Sequence, residues 1–181
     1  MSEKGPLQSM TDFADFVRQY QDMVYSTALR ITADRGDAED IAQETFLQAH
    51  KWYGSLEQNP GAGGWLKKTA RNLALNHVTR YRRRFVFFDF GSGEREEGGA
   101  ATDGDSGEWL YERADLVKQA LLDLPQAFRV PLVLYYYEDM DYAEIARSLK
   151  VSLAKVKTDI MRGRQRLREI IDRLERDHAA D

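Results

Sequence analysis

Apolar residues recur at three- and four-residue steps through three long stretches in the first half of the chain, a spacing typical of amphipathic helices. These stretches predict helices over residues 11–31, 37–53 and 65–84. Asp37 is a candidate N-cap of the second helix, because a carboxylate there accepts a backbone N–H that the helix leaves free. Either Trp52 or Tyr53 completes the inward side of that helix, and Trp65 is expected in the core at the start of the third.

The same spacing predicts four further helices in the second half, over residues 109–124, 126–138, 142–149 and 152–176. Pro125 stops the first of them, and Ser152 is a candidate cap of the last. Pro131 falls within the second, where a proline is tolerated only in the first turn or at a kink. Between the halves, residues 85–107 become rich in Gly, Glu and Asp, a composition typical of a flexible linker.

These elements predict an all-α protein made of two small helical domains joined by a flexible acidic linker. The first domain is expected to be a three- or four-helix unit over residues 1–88, and the linker covers residues 89–110. The second domain, residues 111–181, contains a helix-turn-helix unit. Each domain is small, so neither is expected to be very stable alone.

The net charge of −4 and the pI of about 5.5, taken alone, argue against a protein that binds nucleic acid. The charge is segregated along the chain, however. Residues 67–84 carry seven Lys or Arg and no acid, and residues 150–173 carry eight against three acids. Between them, residues 89–115 hold nine acids and two arginines. Because binding depends on local potential, two basic islands remain compatible with DNA.

The composition excludes several other classes. The chain has no cysteine, its three histidines lack metal-ligand spacing, and it has neither an apolar signal core nor a membrane-length apolar run. Asp37, Glu39, Asp40 and Glu44 resemble a metal cluster, but no second ligand-bearing segment accompanies them. We therefore expect a soluble cytoplasmic protein with no catalytic residue, metal or cofactor, and we disfavour a nucleic-acid enzyme.

The sharpest local pattern is a helix-turn-helix over residues 141–167. The helix of residues 142–149 carries the small Ala146, which permits close helix packing, and the turn at residues 150–152 leads into the next helix. The outer face of that second helix offers cationic and polar side chains: Lys155, Lys157, Thr158, Arg162, Arg164 and Arg166. Such side chains bind phosphates and guanine edges. The alternative is a helical corner used only for packing, with the charges solvated.

Four motifs in order resemble one protein family. They are similar to segments of extracytoplasmic-function (ECF, group 4) RNA polymerase sigma factors. Along the chain, the motifs are GDAEDIAQETFLQA, then WLKKTARNLALNH followed by RYRRR, then LLDLPQAFR, and finally DYAEIA with KVKT and RGRQRLR after it. The resemblance covers residues 13–84 and 117–173. It implies that one face of the second helix binds the clamp helices of the largest polymerase subunit, and this face consists of Asp40, Gln43, Glu44 and Leu47.

The resemblance also assigns the two basic helices to promoter DNA. The third helix would lie beside the separated minus-ten strand through Lys68, Arg71, Asn72, Asn76, Arg80, Arg83 and Arg84. The loop of residues 53–64 would hold a flipped base. The helix-turn-helix would read the minus-thirty-five duplex through Ser152, Lys155, Lys157, Thr158, Asp159, Met161, Arg162 and Arg166.

Three positions depart from the family pattern. Lys150 replaces a glycine at the helix-turn-helix corner, which costs roughly 1 kcal/mol if that residue needs a positive φ. Ala154 stands where glycine is common, and Asp159 stands where a basic residue is usual. An acid there repels phosphate but can accept a hydrogen bond from cytosine N4, so these departures affect the promoter sequence that is read.

The function implied is a sigma factor that binds core RNA polymerase and directs it to promoters. Its expected partners are the largest-subunit clamp helices, the flap of the second-largest subunit, promoter DNA and an anti-sigma factor, with no small-molecule substrate and no direct membrane insertion. The alternative is a helix-turn-helix regulator that acts without joining polymerase. The acidic linker is either a tether or a segment that threads the polymerase channel.

Overall fold

The computed structural model describes residues 6–85 and 114–178, and within them the side chains of residues 12–80 and 115–178. These residues form eight helices and no strand, which confirms the all-α prediction. The helices are α1 (Pro6–Thr32), α2 (Arg35–Lys51), α3 (Tyr53–Leu56), α4 (Ala62–Phe85), α5 (Ala114–Asp123), α6 (Gln126–Tyr136), α7 (Tyr142–Leu149) and α8 (Leu153–His178). The acidic linker and the predicted domain borders at residues 88, 89, 110 and 111 lie outside the described residues.

The start of α2 corrects one prediction. Asp34, rather than Asp37, is the N-cap, because the helix begins about one turn earlier than expected. The Asp34 Oδ1 accepts a hydrogen bond from the Asp37 backbone N–H at 2.9 Å. Asp37 then lies in the first turn, where a negative charge interacts favourably with the helix dipole. The cap predicted at the start of α8 is confirmed, since Ser152 Oγ accepts from the Lys155 N–H at 3.1 Å.

The chain divides into two compact units, residues up to Val78 and residues from Thr79 onward. The first unit packs α1, α2, α3 and the first part of α4 around one apolar core. The buried members of that core are Phe16, Val24, Ala49, Leu56, Ala62, Leu66 and Ala70. Tyr53 contributes from the side, with its ring edge-on to the rings of Phe13 and Phe16 at centroid distances of 5.1 and 5.5 Å. Trp65 packs partly buried against the same core, as predicted.

The second unit packs α5, α6 and α7 against the long helix α8. Its buried apolar side chains include Val117, Leu121, Leu124, Val133, Ile145, Val156, Ile160, Leu167 and Ile171. The corner between α5 and α6 is held by Arg129, whose Nη1 donates to the Leu124 carbonyl at 2.7 Å. Burial lowers the pKa of the Arg129 guanidinium from its ordinary value, yet an arginine remains protonated in proteins.

Two residues set how closely the helices of the second unit approach. A Cβ on Gly163 of α8 would lie 2.9 Å from Leu132 Cδ1 and 3.3 Å from Phe128 Cβ, so α6 and α8 touch at this glycine. Pro131 is buried in the second turn of α6, beyond the first turn that prolines prefer. Without an N–H, Pro131 cannot bond the carbonyl of Ala127.

Candidate polymerase and nucleic-acid interfaces

Helix α2 separates its polar and apolar residues onto opposite sides. Asp40, Gln43, Glu44 and Leu47 are all exposed, and Leu47 retains 61% of its accessible surface. The residues that point inward are Ala38, Ile41, Thr45 and Ala49. The four residues predicted to bind polymerase therefore share one open face, which we call the α2 face.

An open groove of about 810 Å³ adjoins the α2 face, between α1 and α2. Its apolar lining comes from Phe13, Val17, Tyr25, Ala42, Phe46 and Leu47, and its polar lining includes Asp22, Glu39 and Gln43. Leu47 and Gln43 thus belong both to the α2 face and to the groove wall. The periodicity of α2 alone could not reveal the groove, because its other wall is supplied by α1.

Helix α4 presents a polar stripe along its length. Lys68, Asn72, Asn76 and Arg80 are exposed and follow one another at four-residue steps, so they lie on one side of the helix. We call this stripe the α4 face. Arg71, at the edge of the stripe, is half-buried. The backbone of Arg83 and Arg84 is helical, and their side chains lie outside the described residues.

A contact that the sequence did not predict joins α4 to α2. The Nε2 of His77 lies 3.0 Å from the Oδ2 of Asp37, and both side chains are partly exposed. The next residue, Val78, is buried. The pair therefore connects the first turn of the acidic helix to the middle of the cationic helix.

The corner between α7 and α8 has helix-turn-helix geometry. Asp141 and Glu144 form a reciprocal capping box at the start of α7, with hydrogen bonds of 2.7 and 2.9 Å. Lys150 ends α7 in the left-handed conformation at φ 56°, and the Val151 N–H then bonds the Ala146 carbonyl at 3.1 Å. This confirms that the position occupied by Lys150 needs a positive φ. Val156 seals the corner, being fully buried.

The exposed side of α8 carries most of the predicted minus-thirty-five residues, and we call it the α8 face. Ser152, Lys157, Met161, Arg162 and Arg166 are exposed, while Lys155 and Thr158 are half-buried. The Thr158 hydroxyl donates to the Ala154 carbonyl at 3.0 Å.

Two residues predicted on this helix face are placed elsewhere. Asp159 is buried, and its carboxylate accepts a hydrogen bond from Lys155 Nζ at 3.0 Å. Arg164 lies over the rings of Tyr136 and Tyr135 of α6, with its guanidinium carbon 5.6 and 6.0 Å from the ring centroids. Both differ from the expectation because α8 packs on several helices, which buries more of its circumference than a one-sided amphipathic pattern suggests.

Within residues 6–85 and 114–178, no group of three or more His, Cys, Asp or Glu side chains is arranged to hold a metal ion. No helix in those ranges has both the length and the apolar character needed to cross a bilayer.

The described residues define an all-α protein of two helical units. One unit carries a helix-turn-helix corner, and the other carries the acid-rich α2 face with its exposed leucine. Family comparison makes the class specific. Residues 16–84 match the model for Sigma-70 region 2, and residues 114–167 match the model for Sigma-70, region 4.

Individual relatives agree with the family models. The chain is similar to the ECF RNA polymerase sigma factor SigW of Bacillus subtilis, at 30% identity over 87% of either chain. It is also similar to SigE of Mycolicibacterium smegmatis, at 33% identity over 92% of this chain but only 64% of that relative. A solved structure of the sigma factor RpoE with the anti-sigma factor NepR from Bartonella quintana aligns with a TM-score of 0.48 at 21% identity, over 89% of this chain and 97% of that one. This chain belongs to the family of ECF RNA polymerase sigma factors.

Proposed function

We propose that the chain is a transcription initiation factor that binds core RNA polymerase, directs it to specific promoters, and performs no covalent chemistry. The observation that carries the proposal is the separation of two oppositely charged exposed surfaces, one on helix α2 and one on helix α4. The α2 face holds Asp40 and Glu44, whereas the α4 face holds Lys68 and Arg80. One surface suits a protein partner and the other suits phosphates.

Core polymerase binds the α2 face in this proposal, through the clamp helices of its largest subunit. Leu47 supplies an exposed apolar contact, and the acids beside it select a basic partner helix. The groove between α1 and α2 extends this binding surface, because Leu47 belongs both to the α2 face and to the apolar lining of the groove. An anti-sigma factor that covered the same face would keep the chain from polymerase, and the flap of the second-largest subunit would contact the second unit.

Promoter recognition uses both units. The α4 face holds the separated minus-ten strand, with Lys68 and Arg80 neutralising phosphates and Asn72 bonding a base edge. The α8 face enters the major groove of the minus-thirty-five duplex through Lys157, Met161 and nearby basic residues. Asp159 is bound to Lys155 and buried, so we do not assign it a base contact.

The alternative, a regulator that works through the helix-turn-helix without joining polymerase, is not favoured. Such a protein has no use for an exposed acid-rich face on α2 or for a match to Sigma-70 region 2 over residues 16–84.

The test is capture of the chain by purified core polymerase, followed by transcription from a genomic promoter library. Wild type is compared with Glu44→Lys, which reverses one charge of the α2 face, and with Asp177→Lys, an exposed charge reversal at the far end of α8. We expect capture and promoter-specific starts with wild type and Asp177→Lys, and at least a tenfold weaker capture with Glu44→Lys. Equal capture of all three would contradict the role of the α2 face, and no capture of wild type would contradict the function itself.

A further inference from the structure

Trp52 is the most exposed large apolar side chain among the described residues, with 64% of its surface accessible. The sequence left open whether Trp52 or Tyr53 turns inward. The structure places Tyr53 against Phe13 and Phe16, and it leaves the indole of Trp52 outside the core. A tryptophan so exposed loses the largest burial energy available to a side chain, which points to a binding role.

The backbone of Trp52 is held firmly although its side chain is free of the core. Its N–H donates to the Ala49 carbonyl at 3.0 Å, and Ala49 is fully buried. Its carbonyl accepts from the Ser55 and Leu56 N–H groups at 2.9 and 3.2 Å and from the Ser55 hydroxyl at 2.8 Å. Leu56 is buried in the same core. The indole is therefore mounted on fixed backbone, so that little backbone entropy would be lost when a ligand stacks on it.

Charge changes sign along the first unit just before Trp52. Residues 34–47 carry five acids and one arginine, whereas residues 48–72 carry four Lys or Arg and one acid, Glu57. The core brings the end of α2 and the start of α4 together, since Ala49, Leu56, Ala62 and Leu66 pack in one cluster. Trp52 and Lys51 thus lie at the end of the unit from which the cationic helix α4 begins.

An exposed aromatic side chain at the end of a helical unit from which a cationic helix begins can bind single-stranded nucleic acid, because every base has a face that can stack and the cations attract its phosphates. A basic or apolar protein partner fits the acidic stretch before Leu47 better than this end. We propose that Trp52 stacks on an unpaired base of the non-template promoter strand and so helps to hold the strands apart. This inference rests on the proposed function and adds to it a residue that the family motifs do not name.

The experiment uses holoenzyme assembled from core polymerase and the full-length chain, with the chain at a concentration that saturates the polymerase. The probe is a fork-junction promoter, duplex through the minus-thirty-five element and single-stranded on the non-template side of the minus-ten element. We expect Trp52→Ala to weaken fork binding by about 5- to 150-fold and Trp52→Phe to weaken it less, in line with base–aromatic stacking. Trp52→Leu, which keeps apolar volume but not the aromatic face, should resemble Trp52→Ala.

The base is located by placing one abasic site at a time in the single-stranded segment. At one position, the abasic site should weaken fork binding by wild-type holoenzyme and leave binding by Trp52→Ala holoenzyme unchanged. The variant has already lost the stacking contact that the abasic site removes. Leu122→Ala is the matched control, since Leu122 is 38% exposed on α5 of the other unit, and it should bind like wild type.

Unchanged fork binding by saturated Trp52→Ala and Trp52→Leu holoenzymes would overturn the inference while leaving the proposed function intact. Weaker capture by core polymerase with normal fork binding at saturation would also overturn it and would assign Trp52 to the polymerase interface. Absence of wild-type capture is a separate result that would contradict the proposed function itself.

Discussion

Lys155 Nζ lies 3.0 Å from Asp159 Oδ1 on α8, and the carboxylate side chain is only 11% exposed. The buried carboxylate belongs to a helix whose exposed side is cationic, and the partly exposed Lys155 neutralises its charge. This relationship separates two roles for Asp159, because a base-reading acid must be open to the major groove and a structural acid need not be. The geometry favours the structural role.

We therefore expect Asp159→Asn to leave the minus-thirty-five preference unchanged and to lower the free energy of unfolding by about 1 kcal/mol, since a charged hydrogen bond becomes a neutral one. Promoter selection with holoenzyme measures the preference, and urea unfolding measures the stability. Arg162→Ala is the comparison: Arg162 is exposed on the α8 face, so its loss should weaken promoter binding. A changed base preference in Asp159→Asn would restore the cytosine-reading role.

Lys150 offers a second test of the helix-turn-helix corner, because it holds a positive φ of 56°. Lys150→Gly should raise the free energy of unfolding by roughly 0.5–1 kcal/mol, the relief of left-handed strain less the greater flexibility of an unfolded glycine. Lys150→Ala removes the same charge without relieving the strain, and it should not stabilise the protein. Equal stability of the two variants in urea would contradict the strain argument.

How much the sequence could predict differs between helices and their surroundings. The seven longer helices and the Ser152 cap followed from local spacing and local chemistry. The stretch of residues 53–64 was predicted as a loop, and this was wrong in part, because it contains the short helix α3 and the start of α4. Asp34 and Asp37 flank the same glycine, and only the helix start decides which one caps, so the choice of Asp37 was wrong. The contact of His77 with Asp37, the burial of Asp159 and the outward turn of Trp52 depend on which helices pack together, and no local pattern contains that information.

We expect Gly163 in α8 to be required for close packing against α6 rather than for backbone freedom. Gly163→Ala should lower the free energy of unfolding by about 1–2 kcal/mol, since its Cβ would meet the buried Leu132 at 2.9 Å and this overpacking outweighs the better helix propensity of alanine. Gly64→Ala in α4 is the matched control, because a Cβ there meets nothing within 4 Å. It should leave stability equal or raise it by up to about 1 kcal/mol. If both variants were equally stable, α6 and α8 would not be in close contact at Gly163.

The cationic residues of the α4 face are expected to act on DNA through counterion release. Replacing Arg80 by alanine should weaken fork-junction binding by holoenzyme and reduce the slope of log affinity against log salt by about 0.7, the value for one single-strand phosphate contact. Lys118→Ala supplies the control, since Lys118 bonds Asp115 on α5 at 2.9 Å and lies outside all three faces. A slope that fell equally in both variants would indicate a general charge effect rather than a phosphate contact at Arg80.

Apolar side chains on the α8 face predict that thymine methyl groups are read in the minus-thirty-five element. Leu153 and Met161 are 46% and 39% exposed and lie on the same side of α8 as Lys157, at four-residue steps. Thymine is the one base that offers a methyl group in the major groove, and apolar side chains bind it there. Replacing thymines of the minus-thirty-five element with deoxyuridines, one at a time, should weaken promoter binding by wild-type holoenzyme at one or more positions. At a position read by Met161, the variant Met161→Ala should bind both probes equally, because the methyl contact is already lost. If Met161→Ala remained as sensitive to every such replacement as wild type, Met161 would not be the residue that contacts the methyl group.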